Sequence, residues 1–246
     1  MALQLNEKEA RCLGFAFQAH SVTISTDQTR PILGSVLLTE TDYGFTLTST
    51  DSHVLFHTSH QLEQPPAILT KGYGAGSYLL TFEDKPAHGF RDTGKALAKA
   101  TGPVTFGPTY RGTEQKFNFD GGGVYVPPLS ECDGDFPKWA PLYPTGSVEA
   151  DSNRGLNLNP KLVTVMGKLG GFAVKAGKIW GTSPVMYCEP AVTDKKPAAF
   201  VFNVESRPVL NSPIGSWHGL VMPISPTVYG LNDPAAALIP EAVRNV

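Results

Sequence analysis

Glu131, Asp133 and Asp135 stand two residues apart in one short stretch, and Asp51 with His53 repeats that spacing nearer the N-terminus. Carboxylates and an imidazole so spaced could hold a divalent cation or serve as an acid–base pair. The loop acids lie beside glycine and proline, however, where aspartate commonly shapes a turn through its side-chain oxygen. No Gly-x-Ser-x-Gly elbow, Gly-Lys-Ser/Thr phosphate loop or His-Glu-x-x-His metal motif occurs. Gly121-Gly122-Gly123 is not followed by a helical pattern, so it reads as a hairpin turn rather than a phosphate cradle. Cys12, Cys132 and Cys188 lack metal-ligand spacing and read as scattered reduced thiols. The expectation is a protein that is not an enzyme and uses no metal or cofactor, with a small hydrolase at the acidic loop as the distant alternative.

Basic residues recur at helical spacing. Arg91, Lys95 and Lys99 follow one another every four residues, opposite Phe90 and Leu97; Lys161 and Lys168 are seven apart, and Lys8 and Arg11 are three apart. Periodicity alone allows two readings, a solvated helix face or a surface for a polyanion. The formal net charge of −2 excludes a protein that is basic over its whole surface, so nucleic-acid contact requires segregated positive charge.

The elements that would position these residues form an α+β pattern. The 246 residues, 41% hydrophobic, can build a substantial core, and no apolar run is long enough to span a bilayer. The N-terminus lacks the basic-then-apolar order of a secretory signal, so a cytoplasmic home is expected. Asn6-Glu7-Lys8-Glu9 has the order of a capping box and predicts a helix over about 7 to 19. Strands follow around Val36–Thr39, Phe45–Thr48, Val54–His57 and Tyr78–Phe82, then a helix over about 84 to 100. Further strands are expected near Val104–Phe106, Lys116–Phe119 and Val124–Val126.

Asn159-Pro160 opens a third helix, which Gly170-Gly171 is expected to stop. Strands at Ile179–Trp180, Val185–Tyr187, Ala199–Phe202 and Gly219–Met222 complete the pattern. The domain expectation is 1–135, a linker at 136–147, a second unit at 148–228 and a tail at 229–246, with a shared helix-plus-sheet plan but no clear internal sequence repeat.

Four segments carry a resemblance. Cys132-Asp133-Gly134-Asp135-Phe136-Pro137-Lys138-Trp139 with Pro141 and Pro144 resembles the "DG-x-FP-x-aromatic…P" segment of bacterial DNA polymerase sliding clamps. Arg30–Leu38 and Leu47–Leu55 resemble that family's paired strands, and Gly219–Ile224 resembles its "VVMPM" terminal strand. All four stand in the family's order between Arg30 and Ile224. The resemblance implies the DNA-clamp fold, two similar domains each with an antiparallel sheet and one or two helices, and a ring around double-stranded DNA that tethers a DNA polymerase and is opened by a clamp-loader ATPase.

Residue by residue, the resemblance implies a partner-peptide groove made by Ile32, Thr50, His53, Leu55, Phe82, Leu220, Met222 and Pro223, with Phe82 standing where the family has a proline. It also implies that Lys8, Arg11, Arg91, Lys95, Lys99, Lys161 and Lys168 face DNA. The chain has room for two domains where bacterial clamps have three, so the family's six-domain ring would need three copies, and the short length suggests a phage-encoded version. Pro208 and Pro213 oppose a regular helix before the terminal strand, so the second unit is expected to keep only a stub there. The rival reading is a clamp-like module that recruits replication or transcription proteins without encircling DNA.

Overall fold

Asn6 starts the first helix by reciprocal capping: its side-chain oxygen accepts the Glu9 amide at 2.9 Å, and the Glu9 carboxylate accepts the Asn6 amide at 2.7 Å. The second Glu9 oxygen accepts the Glu63 amide at 2.7 Å, tying the helix start to a chain segment 54 residues away. The computed structural model describes residues 3–64, 76–111, 114–139, 160–181, 184–190, 200–206 and 214–221.

The elements are β1 (Leu3–Leu5), α1 (Glu7–His20), β2 (Val36–Thr41), β3 (Gly44–Thr50), β4 (Val54–Gln61), β5 (Ser77–Thr81), α2 (Pro86–Leu97), β6 (Val104–Arg111), β7 (Glu114–Gly121), β8 (Leu129–Glu131), α3 (Pro160–Ile179), β9 (Pro184–Pro190), β10 (Phe200–Ser206) and β11 (Ile214–Val221). All strands join one eleven-stranded sheet in the order β1-β6-β7-β8-β5-β2-β3-β4-β11-β10-β9, and every pairing is antiparallel.

The order exposes a repeated plan. The first unit is β1-α1-β2-β3-β4 and the second is β5-α2-β6-β7-β8, each a leading strand, a helix and a meander. The two units exchange leading strands: β1 pairs with β6, and β5 pairs with β2. A third unit, α3-β9-β10-β11, joins through β11 on β4. The α+β expectation holds.

Helices α1 and α2 cross at glycine. A Cβ on Gly14 would lie 2.4 Å from the Ala98 nitrogen and 2.7 Å from the Gly94 oxygen, so only hydrogen fits between the two backbones. Phe17 fills the space beneath, with Phe90 and Phe119 edge-on at 5.4 and 5.9 Å. On its other flank α1 meets α3: the Trp180 indole donates to Cys12 Sγ at 2.8 Å, and the Cys12 thiol points at the Ala176 carbonyl at 3.8 Å. Burial pushes the Cys12 thiol up to about 12, so this cysteine packs and does not react.

Three sequence expectations are corrected. Helix α3 runs through Gly170-Gly171 to Ile179, because Leu169, Ala173 and Ala176 bury on that path, and packing outweighs the roughly 1 kcal/mol that each interior glycine costs. Ile179 and Trp180 therefore end a helix and turn instead of forming a strand. Val124–Val126 is not a strand; Gly121, Gly122 and Gly123 all adopt positive φ and turn the chain, Val124 anchors the loop by burial, and β8 begins at Leu129. The linker from 140 onward, the segment before Pro160, the stub near Pro208 and the tail lie outside the described residues.

Replacing Gly14 by alanine should destabilise the protein by about 1–3 kcal/mol through overpacking of the α1–α2 crossing. Gly102→Ala, where a Cβ meets nothing within 4 Å, should change stability little. Urea unfolding midpoints of the two variants check this; equal midpoints would mean the crossing is not tight.

Candidate functional site

Where β4 meets β11, Leu55 stands opposite Leu220, and Thr50 at the end of β3 stands opposite Leu55 on its other side. The turn between β3 and β4 is built by Asp51, whose carboxylate accepts the His53 and Val54 amides, each at 2.8 Å. Ser52 takes a positive φ of 79°, and its amide donates to Thr50 Oγ1 at 3.1 Å. Asp51 is thus a turn former. The turn leaves the His53 side chain exposed at the rim of a pocket of about 230 Å³.

That pocket is lined by Thr50, His53, Leu55 and Leu220, four of the residues expected from sequence, together with Leu33, Val54 and the pair Pro137 and Trp139. Leu55 and Leu220 are buried and form apolar walls, while Thr50, Ser52 and His53 supply polar groups. An apolar cleft with polar groups beside it suits a short peptide with one or two large apolar side chains.

Two expected groove residues do not line the pocket. Phe82 is buried edge-on against Phe90 at 5.1 Å and beneath Gly89, where a Cβ would come within 2.3 Å of its ring. Ile32 turns toward Gly134, where a Cβ would lie 2.7 Å from its Cδ1, and Leu33 reaches the pocket in its place. Met222 and Pro223 lie outside the described residues. Pro137 and Trp139 were visible in the sequence as part of the Phe136–Trp139 segment, but their proline-rich setting reads as a linker rather than a wall.

Trp139 rests on His57, ring centroids 4.8 Å apart, and His57 lies 4.8 Å from His218, its cross-strand partner. Thr48 Oγ1 bonds His57 Nδ1 at 2.8 Å. Burial, with a smaller push from His218, lowers the His57 pKa to about 4, and burial also lowers His218. On the helix-facing side of the same strands, His20 bonds Ser49 Oγ at 2.7 Å and Thr58 Oγ1 at 3.1 Å, and Thr58 bonds His60 at 3.0 Å. His60 stacks on Phe45 and is pushed down to about 3, chiefly by burial; burial also holds His20 well below its ordinary value. The groove therefore stands on neutral imidazoles on both faces of the sheet.

The basic residues expected to face DNA are all on helix surfaces or the turn after α2. On α1, Arg11 pairs with Glu7 at 3.4 Å, and the Lys8 ammonium sits 5.2 Å above the Trp180 ring. After and within α2, Lys99 is exposed, while Arg91 and Lys95 share Asp92 at 3.4 and 3.1 Å. Helix α3 is different: Lys161 and Lys168 are joined on exposed positions by Lys175 and Lys178, and its sequence contains no acidic residue. Lys175 and Lys178 were missed because the helix was expected to end at Gly170-Gly171. The acidic loop is exposed at Glu131, Asp133 and Asp135, and among the described residues no group of three or more His, Cys, Asp or Glu could hold a metal. Among the described residues no helix is long and apolar enough to cross a membrane.

No family model and no curated protein matches this chain. Among solved structures, the chain is similar to the DNA polymerase sliding clamp from Pseudomonas aeruginosa with ligand, at 14% identity and a TM-score of 0.55, covering 92% of this chain and 66% of that one. It is similar to the DnaN sliding clamp (DNA polymerase III subunit beta) from Pseudomonas aeruginosa bound to griselimycin, at 14% identity and a TM-score of 0.56, covering 92% of this chain and 65% of that one. The sliding clamp from Bacillus subtilis also matches, at 18% identity and a TM-score of 0.44, covering 91% of this chain and 49% of that one. The chain thus spans between half and two thirds of the length of these structures, and the Pseudomonas likenesses show that it has the sliding-clamp fold.

The buried imidazoles set an acid limit. His57 at about 4 and His60 at about 3 lie below the ordinary 6.5, so the unfolded chain binds more protons in that window and stability rises with pH. The contribution is complete above pH 6.5 and is lost as pH falls through the folded values. Urea midpoints should drop from pH 6.5 toward pH 4, and less steeply in His57→Gln; parallel curves would contradict a buried, neutral His57.

Proposed function

We propose that this chain is a DNA sliding clamp: copies of it close a ring around double-stranded DNA, a clamp-loader ATPase opens that ring, and a DNA polymerase docks by a short peptide in the pocket at the β4–β11 junction. The observation that carries the reading is the pocket itself. Thr50, His53, Leu55 and Leu220, separated by up to 170 positions in sequence, meet around one apolar cleft of about 230 Å³ on a chain with the sliding-clamp fold. By the resemblance, Met222 and Pro223 belong to the same groove.

The peptide chemistry follows from the walls. Leu55, Leu220 and Trp139 offer apolar and aromatic surface, and the Thr50 hydroxyl and His53 ring can bond a peptide backbone. A glutamine-leucine-aromatic peptide fits this set. The basic helix faces would meet phosphates without reading sequence. Lys168 and Lys175 on acid-free α3 contribute more to this than Arg91 and Lys95, whose charge Asp92 partly cancels.

Fluorescence anisotropy with a labelled glutamine-leucine-aromatic peptide tests the docking reading. Leu55→Ala combined with Trp139→Ala should weaken binding by about tenfold or more, as expected for loss of apolar anchors, while leaving the circular dichroism spectrum unchanged. Wild-type affinity in the double variant would exclude this pocket. Separately, Lys168→Glu with Lys175→Glu should lower the salt slope of duplex DNA association by about two units, one per lost phosphate contact. An unchanged slope would remove α3 from the DNA-facing surface.

A further inference from the structure

Two rungs of side chains cross β3, β4 and β11 on one face of the sheet. The first is Thr50, Leu55 and Leu220, which stand opposite one another in the strand register and line the pocket. The second is Thr48, His57 and His218, also opposite one another. Each member stands two residues from its counterpart on the same strand, so the rungs share a face and lie about 7 Å apart. No member of the second rung lines the pocket.

The wall made by Pro137 and Trp139 is not carried by the sheet. Both belong to residues 132–139, which form no helix or strand. The start of this segment is fixed by the Cys132 amide, which donates to the Leu79 carbonyl at 2.7 Å, and by Gly134, packed against Ile32. Its end rests on the second rung, with the Trp139 ring 4.8 Å from the His57 ring. His57 is held in two directions: Thr48 Oγ1 bonds its Nδ1 at 2.8 Å, and the His218 ring lies 4.8 Å away. A side chain locked in this way gives a wall on an irregular segment the definition that a helix or strand would otherwise supply. Burial lowers the His57 pKa to about 4, so the ring is neutral at neutral pH and offers Trp139 an uncharged flat face.

We propose that His57, braced by Thr48 and His218, sets the selectivity of the pocket without lining it: its ring seats Trp139 at a fixed distance across the cleft from Leu55 and Leu220, and that distance decides which apolar side chain fits. His57 is a positioning residue and acts through Trp139. The effect on peptide choice rests on the docking reading above, whereas the seat itself does not. A cleft walled on both sides rewards a side chain that fills it, so a leucine anchor is held well and an alanine anchor poorly. With Trp139 unseated one wall is lost, and the pocket both grips the large anchor less and discriminates less against the small one.

The seat is read without any peptide. The full chain labelled with 5-fluorotryptophan carries three fluorine probes, at Trp139, Trp180 and Trp217, and Trp139→Phe identifies the first resonance. In His57→Gln, which removes the ring, the Trp139 resonance should move and its solvent isotope shift should rise, while Trp180 stays in place. In His57→Phe, which keeps a ring, the Trp139 signal should stay near the wild-type one; melting curves show that both variants are folded. Selectivity is read by anisotropy with two glutamine-x-aromatic peptides that differ only in a leucine or an alanine at the anchor. The wild type should prefer leucine by about tenfold or more, His57→Gln should cut that preference about fivefold, and Trp139→Ala added to His57→Gln should cut it little further, since the two act as one unit. An unmoved Trp139 resonance in a folded His57→Gln would overturn the proposal, as would equal behaviour of His57→Gln and His57→Phe or additive losses in the double variant. A wild type that binds neither peptide, with Trp139 still released by His57→Gln, would sink the docking reading and its selectivity while supporting the seat.

Discussion

The pairing of β4 with β11 is the contact on which the rest depends. It joins the last strand of the first unit to the last described strand of the chain, across more than 150 residues, and makes one sheet where there could have been two. The loop-closure cost of so distant a contact rises only slowly with length, but it must be met by burial. Phe56 and Trp217 meet edge-on at 5.9 Å on the helix-facing side, and Leu55 and Leu220 are buried on the other. The same pairing opens the pocket, because Thr50, His53 and Leu55 could not otherwise share a cleft with Leu220. Fold and pocket are consequences of one strand register.

Much of this was legible in the sequence where local chemistry is self-sufficient. The capping box fixed the start of α1 because Asn6 and Glu9 satisfy each other without help. The β2–β3 hairpin follows from the β-rich runs Val36–Thr39 and Phe45–Thr48 divided by the turn at Thr41–Gly44. Arg91 and Lys95 were placed on the exposed side of α2 by counting fours, and Phe90 and Leu97 on the buried side, while Lys99 is exposed in the turn that follows the helix. Thr50, His53, Leu55 and Leu220 were named from resemblance, and the chain brings them together.

What was not legible depended on tertiary context. Gly170-Gly171 reads as a stop by propensity, yet α3 continues because its buried side chains stabilise the helix more than two glycines weaken it. Phe82 takes the place of a proline in the resembling family, but an aromatic ring there finds a better home against Phe90 than in a half-exposed pocket. Trp139 sits in a proline-rich stretch that local rules call a linker; its contact with the His57 ring, itself beside His218, makes that stretch a wall.

The distribution of charge bears on how such a protein could hold DNA and still move. Ion pairs on α1 and α2 temper their basic residues, and α3 carries Lys168, Lys175 and Lys178 in a helix with no acidic residue of its own, so on the proposed reading attraction would be graded across the surface instead of concentrated in one tight site. Weak contacts of this kind cannot by themselves keep a protein on DNA; a closed ring can. The most direct measurement is retention on a nicked circular duplex before and after one restriction cut, in high salt, with the protein loaded by a clamp-loader ATPase. Encirclement predicts stable retention on the circle and rapid loss on the cut, linear molecule. Equal retention on both, or loss from both at the same rate, would contradict it.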